Sequence, residues 1–203
     1  RESICHVKKC IGVAADLGAE VYTVHPGFVS TVSPSNGYKL NYDFDVCDSW
    51  VARQDAMEVM LRSLEVLGSY AHDLGVKLAI ESEGSVTKPG LCLMETPEDY
   101  AWLFEHISCP LKINFNLAHS YFASRHYGFS YEDFVKQLFD SIVLVEVSHN
   151  DGTGDQHLPL VSDSLILELC HLMPEVPHIL EFRRCNKMDL KESKQIMEDY
   201  WDA

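Results

Sequence analysis

The nine-residue stretch Gly75-Val76-Lys77-Leu78-Ala79-Ile80-Glu81-Ser82-Glu83 sets the frame for reading the whole chain. A helix-stopping glycine leads into a short apolar run of β character, and that run closes on a carboxylate. A carboxylate at the end of a buried strand must find a partner or a shifted pKa, because burying it alone is costly. Glu81 is therefore a candidate functional group, and Glu83 reads as the solvated one of the pair.

The same pattern recurs on both sides. Upstream, Val21-Tyr22-Thr23-Val24 is short and β-branched and ends at His25-Pro26-Gly27. Downstream, the run beginning at Leu111 reaches Asn116, with His119 shortly after it. Ile142 to Val147 carries Glu146 and is followed by His149, and His178-Ile179-Leu180 ends at Glu181. Between these runs the spacing is helical. Residues 2–18 place Ile4, Val7, Ile11, Ala14, Ala15 and Leu17 near a 3.6-residue period. Residues 49–74 predict a long amphipathic helix closed by Gly75, and a polar loop rich in Ser, Asn and Gly precedes it. Thr96 caps a helix with Pro97 in its first turn, running to about His106. Further helices are expected over 130–140, with Ser130 as cap, and over 162–173 and 189–201.

Five strands, each followed by a helix, predict an α/β fold with a parallel sheet. A nucleotide-binding doubly wound sheet would carry GxGxxG or GxxxxGK[ST] after its first strand, and the sequence has neither. What the strands share is a metal-competent residue at the C-terminal end. In a (β/α)8 barrel, the TIM barrel, those ends meet at one mouth, where catalysis sits. The expectation is a single domain over 1–203 built from the C-terminal five βα units of such a barrel.

Composition narrows the classes. Sixteen Lys and Arg against 31 Asp and Glu give a net charge of −15, and the longest basic runs are Lys8-Lys9 and Arg183-Arg184. Such a surface repels phosphate backbones, which argues against a nucleic-acid partner. No apolar run approaches the roughly 18 residues that span a bilayer, and RESICHVKKC at the start lacks an apolar signal core. The seven cysteines are dispersed, odd in number and without a CxxC pair, as expected of reduced thiols in a cytoplasmic protein.

One loop adds to the candidates. In Asp151-Gly-Thr-Gly-Asp155-Gln-His157-Leu-Pro-Leu160, Asp155 and His157 form a D-x-H pair within reach of one cation. Taken singly, each candidate has an ordinary explanation: a hydrogen-bonded histidine, a solvated turn, a salt bridge from Arg183 or Arg184 to Glu181. Together they offer oxygen and imidazole ligands from five strand ends and a following loop, and no thiolate, which points to a divalent metal.

These motifs resemble the xylose-isomerase-like TIM-barrel superfamily, in its branch of sugar-phosphate isomerases/epimerases and endonuclease IV. The resemblance rests on His25-Pro-Gly, Leu78-Ala-Ile-Glu81, Asn116-Leu-Ala-His119, Ser148-His-Asn-Asp-Gly with Asp155-Gln-His157-Leu-Pro-Leu, and Ile179-Leu-Glu181. It implies one metal subsite from His25, Glu81 and Glu181, and a second from Glu81, Asn116 and either Glu146 or His149. A third, endonuclease-like subsite would use His119, Asp155 and His157. The sequence departs from the family pattern where Asn116 replaces an aspartate, where Glu146 and His149 stand in exchanged places, and where Val161 replaces a glycine. The resemblance also implies three further barrel strands upstream of Arg1; an open five-strand sheet would leave an apolar edge needing cover, and a homo-oligomer is one way to supply it.

The activity implied is a metal-dependent (Mn²⁺ or Zn²⁺) isomerase or epimerase moving a proton beside the carbonyl of a sugar or sugar phosphate, with Glu81 and Glu181 as acid and base. The stretch Tyr121-Phe-Ala-Ser-Arg-His-Tyr-Gly-Phe would wall the pocket, with Arg125 and Arg183 as candidate substrate contacts. The alternatives are a metal-dependent hydrolase or phosphodiesterase of the endonuclease IV type, carried by His119, Asp155 and His157, and a non-catalytic barrel relic.

Overall fold

Side chains of a strand alternate between its two faces, so a sheet covered by helices on one side must carry its apolar residues at every second position. The computed structural model, which describes residues 2–34, 44–84, 90–150, 156–183 and 185–202, is built on that rule. Five strands form one parallel sheet in the order β1 (Val21–Val24), β4 (Lys77–Glu81), β5 (Lys112–Asn116), β6 (Ile142–Val147), β7 (His178–Leu180). The fold is α/β, with the sheet as a half-barrel whose edge strands are β1 and β7.

Helices α1 (Glu2–Asp16), α2 (Arg53–Asp73), α3 (Pro97–His106), α4 (Leu117–Tyr127), α5 (Tyr131–Leu138), α6 (Leu165–Cys170) and α7 (Lys187–Trp201) link or flank the strands. The sheet's outer face presents Leu78, Ile80, Ile113, Phe115, Val145 and Val147, all buried in one core with Met60 and Leu64 of α2, Leu103 of α3, Phe134 of α5 and Leu167 of α6. Thr96 caps α3 in a reciprocal box with Asp99, with Pro97 in the first turn as expected. Gly75 ends α2 at φ 76°, a left-handed position that a side chain disfavours. Beside β1, Val7, Val24, Val59, Met60 and Leu64 line an apolar cavity of about 410 Å³ with His25 at its rim.

Three details differ from the expectation. The polar segment after Gly27 is not all loop: β2 (Ser30–Pro34) and β3 (Phe44–Trp50) pair antiparallel as a separate hairpin. Its strands are rich in Ser, Thr and Asp and carry little hydrophobic alternation, the signal by which strands are read. Because β3 extends to Trp50, α2 starts at Arg53 rather than at residue 49. Residues 117–127 form α4, a helix not among those expected, whose Tyr121 ring packs on Phe122 and on Tyr131 of α5. Among the described residues no helix is long and apolar enough to cross a membrane.

Candidate metal centre

The inner face is polar for a reason visible in the register. Glu81 pairs with Asn114, and Asn116 with Glu146, so these residues share one side of the sheet. The match depends on a register shift between Ile113 and Asn114. Without it Asn116 would lie opposite Val145, and Glu146 would turn toward the helices; irregularities of this kind re-aim side chains. Glu181 lies two residues beyond Ile179, the partner of Glu146, and so falls on the same face. Oxygens of Glu81, Glu146 and Glu181 thus come within 4.8 Å of one another. Burial falls across the group, from Glu81 at 8% side-chain exposure to Glu181 at 46%, so the cluster opens on the Glu181 side.

Asn116 sits among the three. Its Nδ2 donates to Glu81 Oε1 and Glu146 Oε2, both at 3.1 Å, and more distantly to Glu181 Oε2 at 3.4 Å. Its Oδ1 accepts from the backbone N–H of His119 at 3.2 Å, which caps α4. One asparagine therefore starts a helix and bridges the carboxylates. Two residues earlier on the same face, Asn114 donates from Nδ2 to Glu146 Oε1 at 2.7 Å. Burial, then the charges of Glu81 and Glu181, push the Glu146 carboxyl up to about 8, so near neutral pH it holds a proton.

Histidines flank the carboxylates. His25 Nδ1 lies 2.7 Å from Glu83 Oε1 and 3.5 Å from Glu81 Oε2. His119 Nδ1 lies 3.0 Å from Ser82 O and 3.3 Å from Glu81 Oε1. His157 Nδ1 lies 3.2 Å from Glu181 Oε2. All these partners are pure acceptors, which assigns the proton to Nδ1 in each ring. The His119 and His157 rings meet edge to face at 5.4 Å. The Glu83 contact raises His25 to about 9. Burial pushes Glu81 upward, but the hydrogen bond and charge of His119, with His25, outweigh it and hold Glu81 at about 2. Burial likewise opposes ionisation of Glu181, yet its His157 hydrogen bond brings it below the ordinary carboxylate range.

Two local features hold the histidines in place. Gly84 lets the loop after β4 lie against α4, since a Cβ there would stand 2.1 Å from His119 O. His157 adopts φ 48°, a left-handed conformation uncommon outside glycine, and its carbonyl accepts from Arg183 N at 2.8 Å.

The expected site residues are thus distributed unevenly. Glu81, Asn116, Glu146 and Glu181 meet, and His25, His119 and His157 border them. Of the β6 alternatives, Glu146 lies in the cluster, while His149 directs Nδ1 to Ser164 Oγ at 2.8 Å and exchanges backbone hydrogen bonds with Leu158. Asp155 lies outside the described residues. Arg125 is exposed in the last turn of α4, on the order of 13 Å along the helix from Asn116. Arg183 follows Glu181 at the mouth. Glu83 is not the solvated residue its position suggested: it is 8% exposed and paired with His25. Asn114 escaped the sequence reading, although its place two residues before Asn116 gave the one available signal, a shared strand face.

The chemistry of the donors fits a divalent cation. Carboxylate oxygens within 4.8 Å of one another are close to the span of oxygens held at about 2.2 Å by a single ion. On the same inner face a fully buried amide oxygen, Asn114 Oδ1, has no partner among the described residues.

Comparisons with known proteins agree with this architecture. A sequence model of the family described as xylose isomerase-like TIM barrel matches residues 1–173. An uncharacterized protein of Methanocaldococcus jannaschii is 23% identical over 201 residues; the match covers 96% of this chain, which spans 60% of that protein's length. A D-tagatose 3-epimerase-like protein of known structure aligns with TM-score 0.76 at 21% identity, over 98% of this chain and 68% of its own. A D-psicose 3-epimerase, solved in the presence of D-fructose, aligns with TM-score 0.61 at 10% identity, over 98% of this chain and 68% of its own. At these identities the likeness to the solved structures establishes the fold.

Proposed function

We propose that this chain, which belongs to the xylose isomerase-like TIM barrel family, carries the metal-binding half of a sugar isomerase or epimerase that moves a proton beside a carbonyl. The observation that carries the reading is the convergence of Glu81, Glu146 and Glu181 on one point at the C-terminal end of the sheet. The names of two structures sharing its fold, a D-tagatose 3-epimerase-like protein and a D-psicose 3-epimerase, make a ketose the first substrate class to test.

The three glutamates would hold the cation, and this all-oxygen set favours Mn²⁺ over Zn²⁺. When bound, a divalent ion polarises a carbonyl and stabilises the enediolate formed beside it. The remaining work falls to the chain's own groups. Glu81 on β4 and Glu181 after β7 stand on opposite walls, with β5 and β6 between them. Both are kept ionised by their histidines, the state in which a carboxylate accepts a proton. Glu181, the more exposed, faces an incoming sugar. His157 orients it through Nδ1, as His119 orients Glu81.

The hydrolase reading keeps one observation in its favour, the edge-to-face approach of His119 and His157. Metal content and proton exchange separate the two. The proteins to compare are wild type, Glu181→Gln and His157→Ala, with metal content measured by plasma mass spectrometry and C3–H exchange of a ketohexose followed in D₂O. The expected result is one ion per chain and exchange that falls by about 10³-fold in Glu181→Gln, the scale of a lost general base. Two or more ions, with one lost in His157→Ala and no exchange, would favour the hydrolase. Absence of both metal and exchange would leave a non-catalytic relic.

A further inference from the structure

Resting on the metal-dependent reading above, we infer that Asn114 is a positioning residue of the centre. Its amide fixes the Glu146 carboxylate from inside the barrel, so that the other carboxylate oxygen stays turned toward Glu81 and Glu181.

The geometry is specific. Asn114 is fully buried and pairs in register with Glu81 on one side and Leu144 on the other. At 2.7 Å its Nδ2 makes a shorter contact to Glu146 than Asn116 does at 3.1 Å. The two asparagines grip different oxygens: Asn114 takes Oε1, and Asn116 takes Oε2 together with Glu81 and Glu181. Oε2 is thereby the oxygen presented to the cluster. Glu146 needs such a grip because its carboxyl shares the cluster with those of Glu81 and Glu181, which contact His119 and His157, whereas the two asparagines donate to Glu146.

The unused half of the amide makes the same point. Among the described residues Asn114 Oδ1 is buried without a partner, an arrangement that folded chains keep only where something offsets it. An apolar residue such as Leu144, its neighbour across the strand pair, would fill the position without that penalty. Asparagine is explained there by its donor, which holds the Glu146 oxygen that Asn116 does not take. A group that orients a metal ligand through a hydrogen bond is typically worth about 10–100-fold in metal affinity.

A double-mutant cycle on the metal-stripped protein tests this, with Mn²⁺ binding read by electron paramagnetic resonance and calorimetry. Asn114→Leu keeps the approximate size and removes the donor. It should weaken Mn²⁺ binding at least about 10-fold while leaving the melting temperature of the metal-free protein unchanged or raised. In a Glu146→Gln background the same substitution should weaken binding less than 2-fold further, because Asn114 acts through Glu146. Asn114→Ser, too short to reach Glu146, reads the same effect should the leucine fail to fold. Wild-type affinity in both variants, or losses that add fully in the double mutant, would overturn the assignment. A wild-type protein that binds no Mn²⁺ would instead overturn the metal reading on which it stands.

Discussion

Two groups of carboxylates lie in this fold, and they are built on opposite principles. In the first, Asp99 meets the Arg53 guanidinium at 2.6 Å and accepts from the backbone N–H groups of Glu95 and Thr96. Beside it, Glu95 accepts from Gly90 N at 3.1 Å and from the Tyr127 hydroxyl at 2.9 Å. Each charge has a donor or a countercharge, and the network ties α2 to the start of α3 and the end of α4. In the second group, Glu81, Glu146 and Glu181 face one another, with neutral amides between them. One of the three is driven to hold a proton near neutral pH. A guanidinium closes the first network, whereas histidines and amides contact the second; on the reading proposed above, the second is kept for a ligand. The sheet's two faces repeat the contrast, since the outer face buries Leu78, Ile80, Ile113, Phe115, Val145 and Val147 where the inner one buries Glu81, Asn114 and Asn116.

The comparison breaks if added cation acts on both groups alike. Saturating Mn²⁺, at about 100 times its Kd, should stabilise the wild type by about 2.7 kcal/mol, roughly 5–10 °C in melting temperature for a chain of this size. Glu81→Gln should abolish that shift, and Arg53→Met should retain it. A shift that survives Glu81→Gln would place the cation elsewhere.

The next effect belongs to the first group. Arg53→Met leaves Asp99 half-buried without its guanidinium, and the loss should be about 2 kcal/mol, below the range for a fully buried pair because Arg53 is 36% exposed. Urea unfolding measures it, and Mn²⁺ affinity should not move. A weakened Mn²⁺ site in Arg53→Met would show that the two groups are coupled rather than separate.

Most of this organisation was legible in the residues, and the exceptions have physical causes. The parallel strands could be read because each is an apolar run ending on a polar residue, and Thr96-Pro97 announced α3 through local capping chemistry that needs no tertiary partner. The β2–β3 hairpin was hidden because its strands are polar. Glu83 looked solvated because sequence gives no sign of the loop bending back over His25, a contact 58 positions apart. Asn114 was invisible for a related reason: its importance depends on the register shift that turns Glu146 inward, and pairing register between strands is not written in either strand alone. The grouping of Glu146 rather than His149 with Glu81 and Glu181 follows from the same shift.

The last effect sharpens the contrast through pH. Glu146 is raised from 4.5 to about 8, so the folded state binds its proton more tightly than the unfolded chain does, and that contribution is lost as pH rises through about 8. His25 is raised from 6.5 to about 9, and its contribution is present below 6.5 and lost as pH rises through about 9. Glu81, lowered to about 2, acts in the opposite sense and loses its contribution only as pH falls below 4.5. The metal-free protein should therefore melt highest near about pH 5 and fall toward about pH 9. Glu146→Gln should flatten the part of that slope below about pH 8 and leave the part due to His25. Mn²⁺ should flatten it too, because a cation among the carboxylates displaces the shared proton, and its affinity should rise with pH over the same interval. Melting curves from pH 4 to 9, with and without Mn²⁺, decide the matter. A metal-free protein that grows more stable toward alkaline pH would mean that the three carboxylates do not crowd one another as this geometry requires.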